Sequence, residues 1–314
     1  MPRRPAYLLW LAVGAVFLAY PWLLDGPFYQ RMGALVLLAA ISASAWNLVG
    51  GYAGQVSVGH SVFYGAGAYL PLLLFTQWGW PPVAGVPAGV AVSVLIALVI
   101  GIPTFRLSGH YFTMATVAVA ELVRLVVSNW DLLGAAVGLS GPAVSRGWWD
   151  LSFRSSVPYY YIFLAVLALV LLATWQMQRS RMGFYLRAIK AGDRAARSLG
   201  VPVRRYKLYA LMVGFIDPDS GLGILISIEM LIIAALGGAG TLFGPLLGAV
   251  ILIPLQNATN SWLGGSGSGA SYVIYGGIIM LLARYQPGGL MNAWLALRER
   301  RQRRASLMGA ERAA

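Results

Sequence analysis

The chain has 314 residues, of which 59% are hydrophobic and only 11% are charged. Soluble domains carry roughly 25% charged residues, so a chain this poor in charge cannot cover a surface that faces water. The composition therefore excludes a soluble protein and indicates one that crosses a membrane several times.

The net charge of +13 would fit a nucleic-acid-binding protein, but the positions of the basic residues argue against that class. Most of them occur as Arg3 and Arg4, as a central block at 179–207 and as a tail at 298–312. Short basic segments beside apolar stretches are what the positive-inside rule produces. We therefore expect membrane lipid and no nucleic acid as a partner. The sequence has no cysteine, which excludes disulfides and thiolate metal sites.

Six apolar stretches come first in the chain, each with the ~20 residues that cross ~30 Å of hydrocarbon. They lie at 6–24, 32–50, 58–78, 83–103, 111–129 and 158–177. The first stretch has no small-x-small cleavage site, so we interpret it as an uncleaved span and not as a signal peptide. With Arg3 and Arg4 in the cytoplasm, six crossings return the chain to the cytoplasm at Gln178.

The last third of the chain is apolar but irregular, with segments at 222–236, 242–256 and 272–283 that are each short for a span. The basic tail favours the cytoplasm, so an even number of crossings should separate Lys207 from it. Three segments are an odd number, and the nine-residue stub 207–215 is too short to cross. Either one segment is re-entrant or a span is missing after Gly214.

The basic block at 178–207, "QRSRMGFYLRAIKAGDRAARSLGVPVRRYK", has the pattern of two short helices. Leu186 and Ile189 share a helical face, and Gly192 interrupts the run. Asp193 is placed to N-cap a second helix that ends at Gly200. This small apolar face predicts a docking surface for another protein, and the alternative is a solvated loop held inside by its charge.

The stretch 51–69, "GYAGQVSVGHSVFYGAGAY", combines glycines with Gln55, Ser57 and His60 at the start of an apolar segment. Glycine-rich breaks near spans often mark solute sites in transporters. The same polar groups can instead satisfy backbone amides and carbonyls that a broken helix leaves unpaired. The sequence leaves both interpretations open. It does not favour His60 as a metal ligand, because the only other histidine is His110.

Charged residues inside the apolar segments are few. Glu121 and Arg124 stand three residues apart in the fifth stretch, which favours a local ion pair over a role in gating or solute passage. Glu229 is isolated among apolar residues, and we assign it to a translocation path or a helix break. Gly240, Gly244 and Gly248 form a small-residue stripe that predicts close helix packing.

The sequence gives no support for catalysis. It contains no G-x-x-x-x-G-K-[ST] phosphate loop, no G-x-S-x-G and no H-E-x-x-H. We therefore expect neither an enzyme nor a resident cofactor or metal.

Five motifs in chain order resemble those of LivM-type permeases, the membrane subunits of branched-chain amino-acid ABC transporters. They are "GQVSVGHSVFYGAGAY" at 54–69, "PTFRLSGHYFTMATVAVAELVRLVVSNW" at 103–130, "GLSGP" at 138–142, "RSRMGFYLRAIKAGDRAARSLGVPVRRYKL" at 179–208 and "IDPDSGLGILISIEMLIIAALGGAGTLFGPLLGAVIL" at 216–252. The resemblance covers nearly the whole chain.

The resemblance implies a fold and a division of the chain. The expected class is all-α, a polytopic transmembrane helix bundle with about 8–9 spans, including broken or re-entrant helices. Residues 1–297 would form the permease domain, with a cytoplasmic ATPase-coupling loop at about 178–207, and 298–314 a disordered basic tail. Residues that match the coupling region are Arg187, Ile189, Asp193, Arg194, Ala195, Ala196 and Gly200.

Two features depart from the family pattern. The "EAA…G" spacing frequent in such loops has Arg194 at its acidic position, with Asp193 beside it. In addition, "LYALMVGF" joins directly to "IDPDS", as though about one helix had been lost near 214–216. The parity of the crossings independently indicates the same loss.

The resemblance also implies a function. Such a subunit passes a branched-chain or related amino acid across the bacterial inner membrane, with a second homologous permease, two cytoplasmic ATP-binding subunits and a periplasmic solute-binding protein. ATP would be bound by the partner subunits. Related permeases also serve amides such as urea. The alternatives are an ion-coupled secondary transporter of a small polar solute and a shortened permease that does not transport.

Overall fold

The computed structural model describes residues 4–134, 139, 148–149, 151–213, 224–262, 276–277, 280, 284 and 288–294. Within these residues the chain forms helices and no β-strand, which confirms the all-α class. The first six helices are α1 (Arg4–Leu23), α2 (Pro27–Asn47), α3 (His60–Trp78), α4 (Pro82–Thr104), α5 (His110–Ser128) and α6 (Val157–Arg179). Five more follow: α7 (Arg181–Ala191), α8 (Asp193–Ser198), α9 (Val203–Val213), α10 (Ile224–Gly237) and α11 (Gly244–Trp262).

The six predicted spans correspond to α1–α6. Among the described residues, four helical stretches are long and apolar enough to cross a membrane: Pro27–Tyr52, Pro82–Thr104, His110–Ser128 and Val157–Arg179. Two shorter apolar stretches, at Gly14–Leu23 and Leu225–Gly237, accompany them. The chain is therefore a multi-pass membrane protein.

Helix α2 occupies the centre of the bundle. Its most apolar window is 83% buried, against 17–28% for the corresponding windows of α4, α5 and α6. Leu37 and Ile41 of α2 pack with Tyr160 and Leu167 of α6 and Ile233 of α10 in one apolar cluster. Burial of this kind in the middle of the bundle leaves the outer helices to face lipid or other subunits.

A second apolar cluster surrounds the end of α2. Leu48 and Val49 pack there with Phe105, which follows α4, and with Leu186 and Ile189 of α7. The predicted cytoplasmic helices therefore share a core with the end of a central span. We call this end of the bundle, which carries α7 and α8, the loop end.

The positions of α9 and α10 concern the number of crossings between Lys207 and the basic tail, which the sequence predicts to be even. Helix α9 starts at the loop end, since Lys207 contacts Asp193 of α8. Helix α10 finishes there, since Gly240 just after it contacts Asn47 at the end of α2. Helix α9 therefore lies at the loop end, where Leu211 also packs in the second cluster, and α10 finishes at the same end. Their 11 and 14 residues correspond to about 16 and 21 Å, short of ~30 Å of hydrocarbon.

Several expectations cannot be compared with this fold. The apparent deletion near 214–216, most of the segment at 272–283, and the tail at 298–314 lie outside the described residues.

Candidate functional site

The stretch after α2 is a true break in the helices. The end of α2 widens into a π-helical turn at Leu48–Tyr52, and residues 53–59 are not helical before α3 begins at His60. Wider turns of this type often mark functional sites. Gln55 N–H donates to the carbonyl of Val49 at 3.0 Å, which closes the turn.

Side chains from other helices satisfy the backbone of this break. The contacts are Trp46 Nε1 to Ser57 O at 2.7 Å, Thr113 Oγ1 to Val56 O at 2.8 Å, Val58 N to Thr116 Oγ1 at 3.2 Å and Ser61 N to Ser227 Oγ at 2.7 Å. Buried backbone groups at membrane depth need such acceptors and donors. Helices α2, α5 and α10 therefore hold the break in one conformation.

The predicted polar residues of the break are all buried. Gln55, Ser57 and His60 are 9%, 2% and 3% exposed, and Ser57 Oγ lies 3.1 Å from His60 Nδ1. Among the described residues, Gln55 Oε1 and His60 Nε2 have no hydrogen-bond partner. The hydroxyl of Ser57 thus forms hydrogen bonds within the break. Gln55 and His60 each retain one buried polar atom that no described residue binds.

Three segments meet at the end of α2. Lys190 Nζ of α7 donates to the carbonyl of Gly51 at 2.7 Å. Asn47 accepts a hydrogen bond from Gly240 N–H at 2.7 Å and donates to Thr241 O at 2.9 Å. A Cβ on Gly51 would overlap the Asn47 side chain, so only glycine fits here. We call these five residues the Lys190 junction.

Sequence reasoning missed Lys190 and Asn47 as members of a site. A usable signal for Lys190 is its spacing, because it stands four residues after Leu186 and therefore on the same helical face. Leu186 is fully buried, and Lys190, although exposed as a residue, extends its Nζ from that face to the carbonyl of Gly51. No comparable signal marks Asn47, whose contacts lie 193 and 194 residues away in the sequence.

The coupling-loop helices turn their predicted apolar face inward. Leu186, Ile189 and Ala196 are 0%, 2% and 1% exposed and pack in the second core. The prediction that Leu186 and Ile189 form a docking surface is therefore wrong, because the bundle itself covers them. Two other apolar side chains point outward, Phe184 at 65% and Leu199 at 81% exposure.

Several other coupling-loop residues are also exposed. Arg187, Arg194 and Ala195 face solvent, and Gly200 follows α8 with a positive φ of 78°. The exposed surface of α7 and α8 thus includes two large apolar side chains and several arginines. We call Phe184, Arg187, Arg194 and Leu199 the outer loop face.

Asp193 does not N-cap α8 as predicted. Gly192 occupies the N-cap position, and Asp193 is the first helical residue. Its carboxylate instead accepts from Lys207 Nζ at 2.5 Å, and the Lys207 side chain is fully buried. Burial lowers the pKa of the Lys207 ammonium, and the hydrogen bond and charge of Asp193 oppose that shift. The carboxylate is thus engaged by α9 and not by backbone amides of α8.

Glu121 and Arg124 form an ion pair on α5. Arg124 Nη2 lies 2.5 Å from Glu121 Oε1, and the two side chains are 41% and 43% exposed. The pair is therefore satisfied locally and faces away from the described helices. The structure does not bring it to the break.

The predicted glycine stripe is only partly helical. Gly240 lies in the turn before α11, with a φ of +85°, and not on a helix as expected. Gly244 is the first residue of α11, and Gly248 follows one turn later. A Cβ on Gly248 would overlap the carbonyl oxygen of Ile233, so α10 and α11 pack in backbone contact there.

Glu229 lies in α10, well inside its described range, and lines a cavity of about 210 Å³. Its carboxylate accepts a hydrogen bond from Gln256 of α11. The walls come from α2, α3, α10 and α11. The lining residues are Leu35, Leu38, Ala39, Ser42, Tyr64, Ile226, Glu229, Met230, Ile233, Ile253, Gln256 and Asn257.

A second cavity, of about 600 Å³, adjoins the first at Leu35 and Leu38. It is lined by Arg31, Ala34, Leu35, Leu38, Leu151, Ser156, Tyr159, Ile162 and Phe163. Arg31 stands near the start of α2 and Ser156 just before α6, so this cavity lies at the end opposite the loop end.

A multi-pass helix bundle with a broken central helix, a folded basic loop packed beneath it and cavities between its helices is the architecture of a membrane permease. The sequence model of the family described as "Branched-chain amino acid transport system / permease component" matches residues 31–214. The chain belongs to this family. It is accordingly a transport component and not an enzyme.

Individual relatives agree with the family. The chain is 28% identical to the high-affinity branched-chain amino acid transport system permease protein LivM of Escherichia coli, over 89% of this chain and 74% of that protein. It is 26% identical to LivM of Salmonella typhimurium, over 92% and 75%. It is also 26% identical to the autoinducer 2 import system permease protein LsrC of an Enterobacter strain, over 81% and 73%. No solved structure matches the chain.

The alignments also show how the length of this chain compares with that of its relatives. Those with the two LivM proteins run over 328 positions, more than the 314 residues of this chain. The relatives therefore contain segments that have no counterpart here, and the family match ends at 214, beside the apparent deletion.

Proposed function

We propose that the chain is the membrane-spanning subunit of an ABC importer that passes branched-chain amino acids across the bacterial inner membrane. The family and the names of the two LivM relatives support this substrate class. The LsrC relative shows that similar chains are assigned to other solutes, so the substrate needs its own test.

The observation that carries the proposal is the Lys190 junction beneath the broken central helix. Lys190 joins α7 to the carbonyl of Gly51, and Asn47 joins the same point to the turn before α11. A displacement of α7 and α8 would therefore act on two helix ends that border the interior of the bundle. Packed elements move as units, because close-packed cores do not deform continuously.

The outer loop face supports the choice of partners. Phe184 and Leu199 expose large apolar surfaces on helices that also carry exposed arginines, and aromatic residues and arginine are enriched at protein interfaces. The groove that receives them would be apolar with an acidic rim. We assign this groove to a cytoplasmic ATP-binding subunit, two of which would act with this chain, a second homologous permease and a periplasmic solute-binding protein. ATP would be bound by those subunits, since this chain has no phosphate loop.

The test is purification of the tagged chain from native membranes in mild detergent, with the co-purifying proteins identified by mass spectrometry. We expect an ATPase and a second permease. The variants Phe184→Ala and Leu199→Ala should each reduce recovery of the ATPase at least tenfold while the second permease stays bound. The matched control is Leu95→Ala, which removes an exposed leucine from α4. Recovery of the well-folded chain alone would contradict the proposal and favour a secondary transporter.

The alignment lengths favour one further candidate, a shortened permease that assembles but does not transport. Insertion of a helix-length segment of the LivM relative after Gly214 distinguishes an active importer subunit from a shortened permease that does not transport. Uptake that appears only with the insertion would favour the shortened, inactive form. Equal uptake with and without it would show that the chain works at its present length.

A further inference from the structure

Glu229 lies in the middle of the apolar helix α10. Eight residues along α10 lead from it to Gly237, where the helix finishes at the loop end, and eight residues of helix correspond to about 12 Å. This distance is well within the ~30 Å thickness of a hydrocarbon layer, so the carboxylate belongs to an apolar segment and not to a loop. Ionisable groups in such segments are costly and tend to pair or to face a solute cavity.

Among the residues that the structure describes, Glu229 has no cationic partner. Neither of the two ion pairs in the described residues includes it, and its hydrogen bond comes from the neutral amide of Gln256. Glu121 differs, since Arg124 binds it through two hydrogen bonds. One intramembrane carboxylate is thus paired within the chain, and the other points into a cavity of about 210 Å³.

That cavity shares lining residues with the larger cavity at the opposite end of the bundle. Arg31, Leu35, Leu38 and Ser42 follow one another at helical spacing along one face of α2. Arg31 lines the larger cavity, Ser42 lines the cavity of Glu229, and the two leucines line both. The volume beside Glu229 is below the roughly 300 Å³ at which pockets for drug-sized ligands begin, which suits a small solute.

We propose that this face of α2 is the solute route and that Glu229 binds the ammonium group of a zwitterionic aliphatic amino acid in transit. The carboxylate and the amide of Gln256 form the polar end of the site, and leucine and isoleucine side chains accept the aliphatic part. Arg31 attracts the solute carboxylate at the outer cavity. The inference rests on the proposed function and adds the group that recognises the substrate inside the membrane.

The first test compares Glu229→Gln with Glu121→Gln, which make the same change in the two carboxylates. The full complex is reconstituted in liposomes with saturating leucine-loaded binding protein. We expect leucine uptake by Glu229→Gln to fall at least tenfold, the factor that ~1.4 kcal/mol of lost binding gives. ATP hydrolysis should stay within twofold of wild type, and Glu121→Gln should transport like wild type. Glu229→Asp, which keeps the charge, should recover part of the uptake.

The second test measures access and does not depend on a stable Glu229 variant. The chain has no cysteine, so Leu35→Cys supplies a single labelling position shared by both cavities. A water-soluble cationic thiol reagent should label it, and leucine should slow the labelling at least fivefold. The matched control is Leu95→Cys on the outer face of α4, where leucine should have no effect.

The outcomes separate the two proposals. If the wild-type complex takes up no amino acid, the proposed function fails. If the wild-type complex takes up leucine and Glu229→Gln equals it, or leucine does not protect Leu35→Cys, the inference about Glu229 and this route is overturned while the proposed function stands.

Discussion

Lys207 and Asp193 form the most deeply buried charge pair among the described residues. The Lys207 side chain is fully buried and that of Asp193 is 16% exposed. Removing one member of a buried pair leaves the other charge uncompensated, which destabilises by about 3–5 kcal/mol. The pair therefore fixes α8 against α9 at the base of the coupling loop.

Because Lys207 is more deeply buried than Asp193, we expect substitutions of the two residues to destabilise the complex to different extents. Asp193→Asn strands the fully buried ammonium and should lower the melting temperature of the purified complex more than Lys207→Met, which strands the less buried carboxylate. The double variant should recover part of the loss. The melting temperatures of wild type, the two single variants and the double variant are measured by thermal unfolding monitored with size-exclusion chromatography. Equal melting temperatures for Asp193→Asn and wild type would contradict the role of the pair.

Lys190 makes a second prediction at the residue scale. Lys190→Met keeps much of the aliphatic side chain but cannot donate to Gly51 O. We expect ATP hydrolysis by the complex to continue while leucine uptake falls about tenfold, because loop movement no longer reaches the end of α2. Uptake and hydrolysis are measured on the same liposomes.

The matched control for Lys190 is Arg205→Met, which removes an exposed positive charge from α9. It should leave both activities near wild type. Uptake by Lys190→Met equal to wild type would show that the Lys190 junction does not transmit movement.

At the scale of elements, the contact between α10 and α11 depends on glycine. A Cβ on Gly248 would overlap the carbonyl oxygen of Ile233, whereas a Cβ on Gly14 of α1 meets no atom within 4 Å. Gly248→Ala should destabilise the assembled complex by about 1–3 kcal/mol, the usual effect of overpacking. Gly14→Ala should have no effect. Thermal unfolding compares the two, and equal stability would contradict the close packing of these helices.

The positions of the helices could largely be predicted from the sequence, but the contacts between them could not. The six early helices could be located from apolar composition, and four of the corresponding stretches are long and apolar enough to cross a membrane. The glycine-rich break after α2 was also indicated by composition. The placement of Asp193 as an N-cap was wrong, since local spacing does not show that Lys207 competes for the carboxylate. Likewise, Gly240 belongs to a turn, because contact with Asn47 fixes it there.

At the scale of the whole molecule, α2 joins the two activities that a permease needs. One of its faces lines both cavities, and its end meets the coupling loop at the Lys190 junction. The cavity residue Glu229 stands on α10, whose last turn leads into the same junction. Movement of the loop would thus act directly on the walls of the proposed solute route.

The most direct test is leucine uptake into liposomes that contain the complete complex, measured with and without internal ATP. We predict accumulation that requires ATP, the binding protein and this chain together, and that Lys190→Met lowers about tenfold without stopping ATP hydrolysis. Uptake that proceeds without ATP, or that an ion gradient alone drives, would contradict the assignment of this chain to an ATP-driven importer.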